Sequence, residues 1–125
     1  MSEGGPVALA QRLVASLTAL MVVSQFFSAG AGAFGATSFD AHRTIGSLAI
    51  LVALVGLVLA LLTRRHRGHS AALVGLLVLQ SLLGDFGGDE PWVGAVHGLN
   101  AIAVMGAAGT LAQANWAPVR AARAA

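Results

Sequence analysis

The sequence predicts an all-α membrane protein. The expected architecture is a four-transmembrane-helix bundle of two helical hairpins, related by a parallel pseudo-twofold repeat. Three observations predict it: composition, the placement of charge, and internal self-similarity. The chain has 125 residues, of which 57% are hydrophobic and 10% charged, with a mean hydropathy of +0.81. A soluble domain is nearer about 25% charged. So apolar a chain lacks the polar side chains to cover a water-facing surface. That excludes a soluble enzyme, a nucleic-acid-binding module and a disordered tail. The sequence pI of about 11.2 reflects seven Arg and no Lys against five acids, a formal balance of only +2. No cysteine is present, which excludes disulfides, thiolate metal sites, iron–sulfur clusters and covalent c-type haem.

Charge-free runs define the elements in order. Residues 13–39, 44–63, 70–84 and 91–119 contain no Asp, Glu, Lys or Arg. A spanning helix needs about 20 apolar residues, within a range of roughly 17–25. The first run predicts a helix over 8–30. Its small residues around Ala29–Ala33 resemble a cleavage site, but the run is too long and Arg12 too far in for a signal peptide, so it reads as a retained span. The second run predicts a helix over 42–63. The third predicts 70–87, with Asp85 and Phe86 in the interface, and the fourth predicts 92–115. No polar stretch is long enough for another domain, so residues 1–125 form one membrane domain.

Four spans put both termini and the loop between helices 2 and 3 on one side. That side carries Arg12, Arg64, Arg65, Arg67, Arg120 and Arg123, whereas the other carries Arg43 with Asp40, Asp85, Asp89 and Glu90. The bias predicts cytoplasmic termini. Trp92 and Trp116, at opposite ends of the fourth helix, are expected interfacial anchors. The absence of Lys beside abundant Ala, Gly and Arg suits a GC-rich bacterial genome, and so a bacterial cytoplasmic membrane.

The repeat appears at an offset of 55 residues. Arg12 falls on Arg67, Gln25 on Gln80, Gly32 on Gly87, His42 on His97 and Arg65 on Arg120. Gln and His are 17 apart in both halves. Parallel repeats related by an axis along the membrane normal occur in membrane folds.

The repeat singles out two of the four histidines. His66 and His69 lie in the Arg-rich loop TRRHRGH and read as part of a solvated basic loop. His42 and His97 sit 22 and 23 residues from Arg64 and Arg120, hence at nearly equal depth. Ionisable residues within a membrane usually face the bundle interior. Two at one depth invite a shared ligand. Zinc is poorly served by two protein ligands, whereas a haem iron takes one or two axial imidazoles. Paired structural histidines and a proton or ion relay are the alternatives. The small residues Gly46, Ala49, Ala53, Gly56 and Ala60 form a stripe below His42, suited either to close helix packing or to a flat macrocycle. Gln25 and Gln80 either tether a neighbouring helix or support the site. Arg43 pairs with a haem propionate, with Asp40 or with a lipid headgroup. Asn100 and Asn115 read as interhelical hydrogen bonders.

Two stretches resemble the haem A synthase family. LQSLLGDFGGDEPWVGAVHGLNAIAVMGAAGTLA is similar to its Gln-x-x-Leu-Gly step, a Pro before the next helix and a His at that helix's outer end, here Gln80, Leu83, Gly84, Pro91 and His97. AHRTIGSLAILVALVGLVLAL is similar to its His-Arg opening a helix, here His42 and Arg43. The family's fold has eight helices in two four-helix halves, each with a His pair on its second and fourth helices. The resemblance implies that this chain is like one half, with His42 and His97 as axial ligands of haem b. It departs from the family in lacking the other half and the loop cysteines. Asp40 also lies two residues before the first His, where the family has an acid three before.

Together these readings predict a b-type cytochrome with one non-covalent, bis-histidine haem between helices 2 and 4. Gln25, Gln80, Arg43 and Gly46 would complete the site. Its role would be one-electron transfer with a quinone or a redox protein, with no nucleic acid involved. The alternatives are a cofactor-free accessory subunit of a larger membrane complex and a haem-modifying, oxidase-like enzyme. A homodimer would mimic the eight-helix arrangement.

Overall fold

A computed structural model describes residues 5–124. It contains four helices: α1 (Pro6–Ala33), α2 (Asp40–Thr63), α3 (Arg67–Gly87) and α4 (Pro91–Ala124), with no strand among the described residues. All four are long and apolar enough to cross a membrane, and the protein is a multi-pass helical bundle. The short connections make successive helices antiparallel neighbours. α1 packs on α2 and α4, and α3 packs on α2 and α4. The bundle is therefore a square in which α2 and α4, the two histidine-bearing helices, stand on a diagonal.

Local chemistry starts and stops the helices. Pro6 opens α1 where its missing N–H costs nothing. Asp40 in the first turn of α2 complements the helix dipole. α2 and α3 are joined through Arg64 and His66, both left-handed at φ 58° and 55°. Such backbone is unfavourable for a residue with a Cβ. Side chains hold it: Gln11 Nε2 donates to the Arg65 carbonyl at 3.3 Å, and the Thr63 hydroxyl donates to Gln11 Oε1 at 2.8 Å.

α4 extends well beyond the expected 92–115, through Pro118. The proline removes one helical bond, but Ala and Arg around it are strong helix formers. The Arg120 guanidinium also donates back to the Gln113 carbonyl at 2.9 Å.

Ala15, Val22, Ala53, Leu73, Leu77, Val104, Ala108 and Leu111 form the core. Outward faces carry exposed Leu20, Leu62, Leu99 and Ile102, the side chains a bilayer would cover. The small stripe of α2 packs closely toward the termini. Ala53 and Ala60 are buried, and a Cβ at Gly56 would lie 3.3 Å from Val14 Cγ1. Trp92 is 85% exposed. Trp116 ties α4 to α1: its Nε1 donates to Ser16 Oγ at 2.9 Å, and the Arg12 guanidinium lies 5.9 Å from its ring centroid. Asn115 departs from expectation. Its amide donates to Leu111 of its own helix, and among the described residues it is the backbone carbonyl that bonds to α1, accepting from Arg12 Nε. Four residues along one helix, that amide has a nearer acceptor than any on the neighbouring helix.

Candidate functional site

Toward the end opposite the termini the four helices surround a cavity of about 900 Å³. The rest of the small-residue stripe opens there, with Gly46 and Ala49 on the wall. Val22, Leu77 and Val104 belong both to the core and to the lining, so the core is the cavity floor. Its volume falls within the roughly 300–1,000 Å³ of ordinary ligand pockets.

His42 and His97 both line this cavity, with ring centroids 6.2 Å apart and planes at 66°. Each ring is held by one matched bond. His42 Nδ1 lies 3.2 Å from the Gln25 carbonyl oxygen, and His97 Nδ1 lies 2.9 Å from the Gln80 carbonyl oxygen. A carbonyl only accepts, so Nδ1 carries the hydrogen in both rings and Nε2 carries the lone pair. That tautomer, with Nδ1–H on a backbone carbonyl, is the one a histidine uses to ligate metal through Nε2.

Around this common bond the halves diverge. In the first, Ser28 Oγ lies 3.3 Å from His42 Nδ1, and Phe39 packs edge-on against the His42 ring at 6.2 Å. His42 Nε2 makes no hydrogen bond among the described residues. Gln25 Nε2 is buried with no partner among them, and Gly46 faces the Gln25 amide, where a Cβ would make ordinary contact with Oε1 at 3.5 Å. In the second half the Gln80 amide is fully used. Its Nε2 donates to His97 Nε2 at 3.2 Å and to the His97 carbonyl at 3.0 Å. Its Oε1 accepts from Asn100 Nδ2 at 2.6 Å, and Asn100 also donates to the Leu76 carbonyl at 3.1 Å. Asn100 is thus an interhelical bonder, as expected. Gly84 clears space for the second ring: a Cβ there would meet His97 Cε1 at 3.1 Å.

Arg43 lies on the cavity wall and is exposed. It makes no ion pair with Asp40, whose carboxylate accepts from Ser38 Oγ at 2.8 Å. Asp85 lines the same cavity. Among the described residues no three His, Cys, Asp or Glu side chains cluster as a metal site. The donor set is therefore two imidazoles.

Two imidazoles on one metal, with bonds of about 2 Å, have centroids roughly 6 Å apart. The observed separation, the two tautomers and the cavity fit a flat metal macrocycle held from both sides, once Gln80 releases His97 Nε2. The same separation is also within the roughly 4.5–7 Å of an ordinary edge-on ring contact. His66, outside the spans, has its Nε2 buried without a partner among the described residues. Burial lowers its pKa below the ordinary histidine value, and the charges of Arg65 and His69 push the same way.

Fold and site define a class: a small multi-pass helical membrane protein with a histidine-flanked cavity opposite its termini. Over residues 25–85 the chain is similar to a family of unknown function (DUF6220). That stretch carries Gln25, His42 and Gln80 and stops before His97. No curated protein and no solved structure matches the chain.

Proposed function

We propose that the protein is a b-type membrane cytochrome of a bacterial cytoplasmic membrane, holding one haem between α2 and α4 through His42 and His97. The observation that carries this reading is the matched pair of Nδ1–H bonds to the Gln25 and Gln80 carbonyls, on rings 6.2 Å apart at a cavity of about 900 Å³. Haem bound there supplies a one-electron couple. His42 and His97 would hold the iron through Nε2, and the Gln25 and Gln80 carbonyls fix the rings and raise their basicity. Val22, Ile50, Leu77 and Val104 keep water from the site. Arg43, on the cavity wall, meets a propionate. With both imidazoles engaged, the haem would supply electron transfer and not oxygen chemistry. The arginine bias supports cytoplasmic termini and a site toward the outer face, where a quinone or a redox protein would exchange electrons.

One observation favours a second reading. The Gln80 amide on His97 Nε2 ties α3 to α4 without any cofactor, as an accessory subunit of a larger membrane complex would use it. Absorption spectra of protein purified in detergent, from cells supplied with haem, decide between the two. A sharp Soret band with resolved α and β bands on dithionite reduction is expected. A folded, colourless protein supports the second reading and refutes the first.

A further inference from the structure

We infer that Gln80 is a latch on the second ligand, so that His42 is always available to a metal while His97 becomes available only when the Gln80 amide swings away. This rests on the haem reading and adds to it a residue that sets whether one histidine or two engage.

The two halves of the repeat supply the argument. Gln25 and Gln80 are equivalent, and each offers its backbone carbonyl to the equivalent histidine. Their side chains behave differently. Gln80 Nε2 covers His97 Nε2, whereas Gln25 Nε2 is buried without a partner among the described residues and leaves His42 Nε2 uncovered. The cause lies one helical turn beyond each histidine. Asn100 grips Gln80 Oε1 at 2.6 Å and anchors itself on the Leu76 carbonyl. At an offset of 55 its counterpart is Ile45, which has no donor to offer Gln25. An amide gripped at its oxygen presents its NH₂ in a fixed direction, here onto the imidazole lone pair. A metal needs that same lone pair, so latch and ligand exclude each other. Breaking the latch strands polar groups in an apolar bundle, which weakens ligation by His97 relative to a free imidazole.

Two substitutions exchange the halves. Asn100→Ile copies the first half into the second, and Ile45→Asn does the reverse. Gln80→Leu removes the latch outright, and Thr110→Val, at an exposed residue of α4 outside the cavity whose hydroxyl bonds only to its own helix, is the control. The first readout requires no haem: ¹⁵N spectra of histidine-labelled protein in detergent. His97 Nε2 should show a hydrogen-bonded shift that Asn100→Ile abolishes, and His42 Nε2 should gain one in Ile45→Asn. Identical His97 shifts in wild type and Asn100→Ile overturn the latch. The second readout is haem titration. Asn100→Ile and Gln80→Leu should each bind about tenfold more tightly than wild type, the scale of one hydrogen bond, with Thr110→Val unchanged. Equal affinities across all four overturn the gating role, even where the ¹⁵N shifts move as expected. If no form binds haem, the haem reading and the gating role fall together, and the hydrogen bond is judged on the ¹⁵N result alone.

Discussion

In the first hairpin the Gln25 carboxamide has a buried NH₂ group without a partner among the described residues. In the second, the equivalent Gln80 carboxamide is bonded at both ends. Backbone and histidine are alike in the two; the neighbours are not. Ile45 stands where Asn100 does, Ser28 where Leu83 does, Ala29 where Gly84 does, and Phe39 where Gly94 does. The Phe39 ring covers Gly32, whereas the Gly94 backbone itself comes against Gly87. The repeat thus sets how each ring is held, and the exceptions to it set what each Nε2 meets. An internal repeat is informative twice, once where it holds and once where it breaks.

The closest approach of backbones gives the largest expected difference between the halves. A Cβ at Gly87 would lie 2.9 Å from Gly94 Cα, while one at Gly32 would lie 3.0 Å from the Phe39 ring. Backbone cannot step aside and a ring can. Gly87→Ala should therefore destabilise by about 2 kcal/mol, and Gly32→Ala by clearly less, as thermal unfolding in detergent would report. Equal losses would mean that Phe39 is as fixed as the α3–α4 contact.

At the termini end the repeat pairs Gln11 with His66. Gln11 is buried and clamps the loop through Thr63 and Arg65, so Gln11→Leu should cost about 1 kcal/mol. Full stability in that variant would show that the left-handed loop holds itself. Gly84→Ala should leave stability nearly unchanged, because a helical gain of about 1 kcal/mol offsets the crowding. It should still displace the His97 ring and shift its NMR signals. The first half already has Ala29 at the equivalent position, so His42 should not move.

The smallest effect is that of His66. Its pKa is lowered in the folded protein, so the fold binds its proton less readily than the unfolded chain does. Stability should therefore fall as pH drops from 6.5, the ordinary value, through the lowered one, and be unaffected by this group above 6.5. His66→Asn keeps a residue tolerant of the left-handed backbone and should flatten that slope. An unchanged slope would assign it to other groups.

Much of the fold was legible because the bilayer simplifies the reading: a charge-free run of sufficient length has few alternatives to a helix. The end of α4 was not: hydropathy and span length place it near 115, whereas the helix runs on through Pro118 to Ala124. His42 and His97 were legible as a pair from spacing and depth, and Asn100 as an interhelical bonder. What spacing could not give was the direction of a side chain. The Gln80 amide on His97 Nε2, the orphaned Gln25 amide and the clearance at Gly84 depend on rotamers and on distances of a few tenths of an ångström. The comparison of Ile45 with Asn100 was present in the repeat, yet only the geometry gave it meaning. Arg43 and Asp40 illustrate the limit of adjacency: three residues apart on α2, they make no ion pair, because Ser38 satisfies the aspartate.

The central claim, that His42 and His97 together hold one haem, is most directly tested by reduced-minus-oxidised spectra of wild type, His42→Ala and His97→Ala, each purified after haem supplementation. The account predicts sharp low-spin α and β bands in wild type and their loss in either variant. A wild type without a Soret band, or low-spin bands unchanged in both variants, would contradict it.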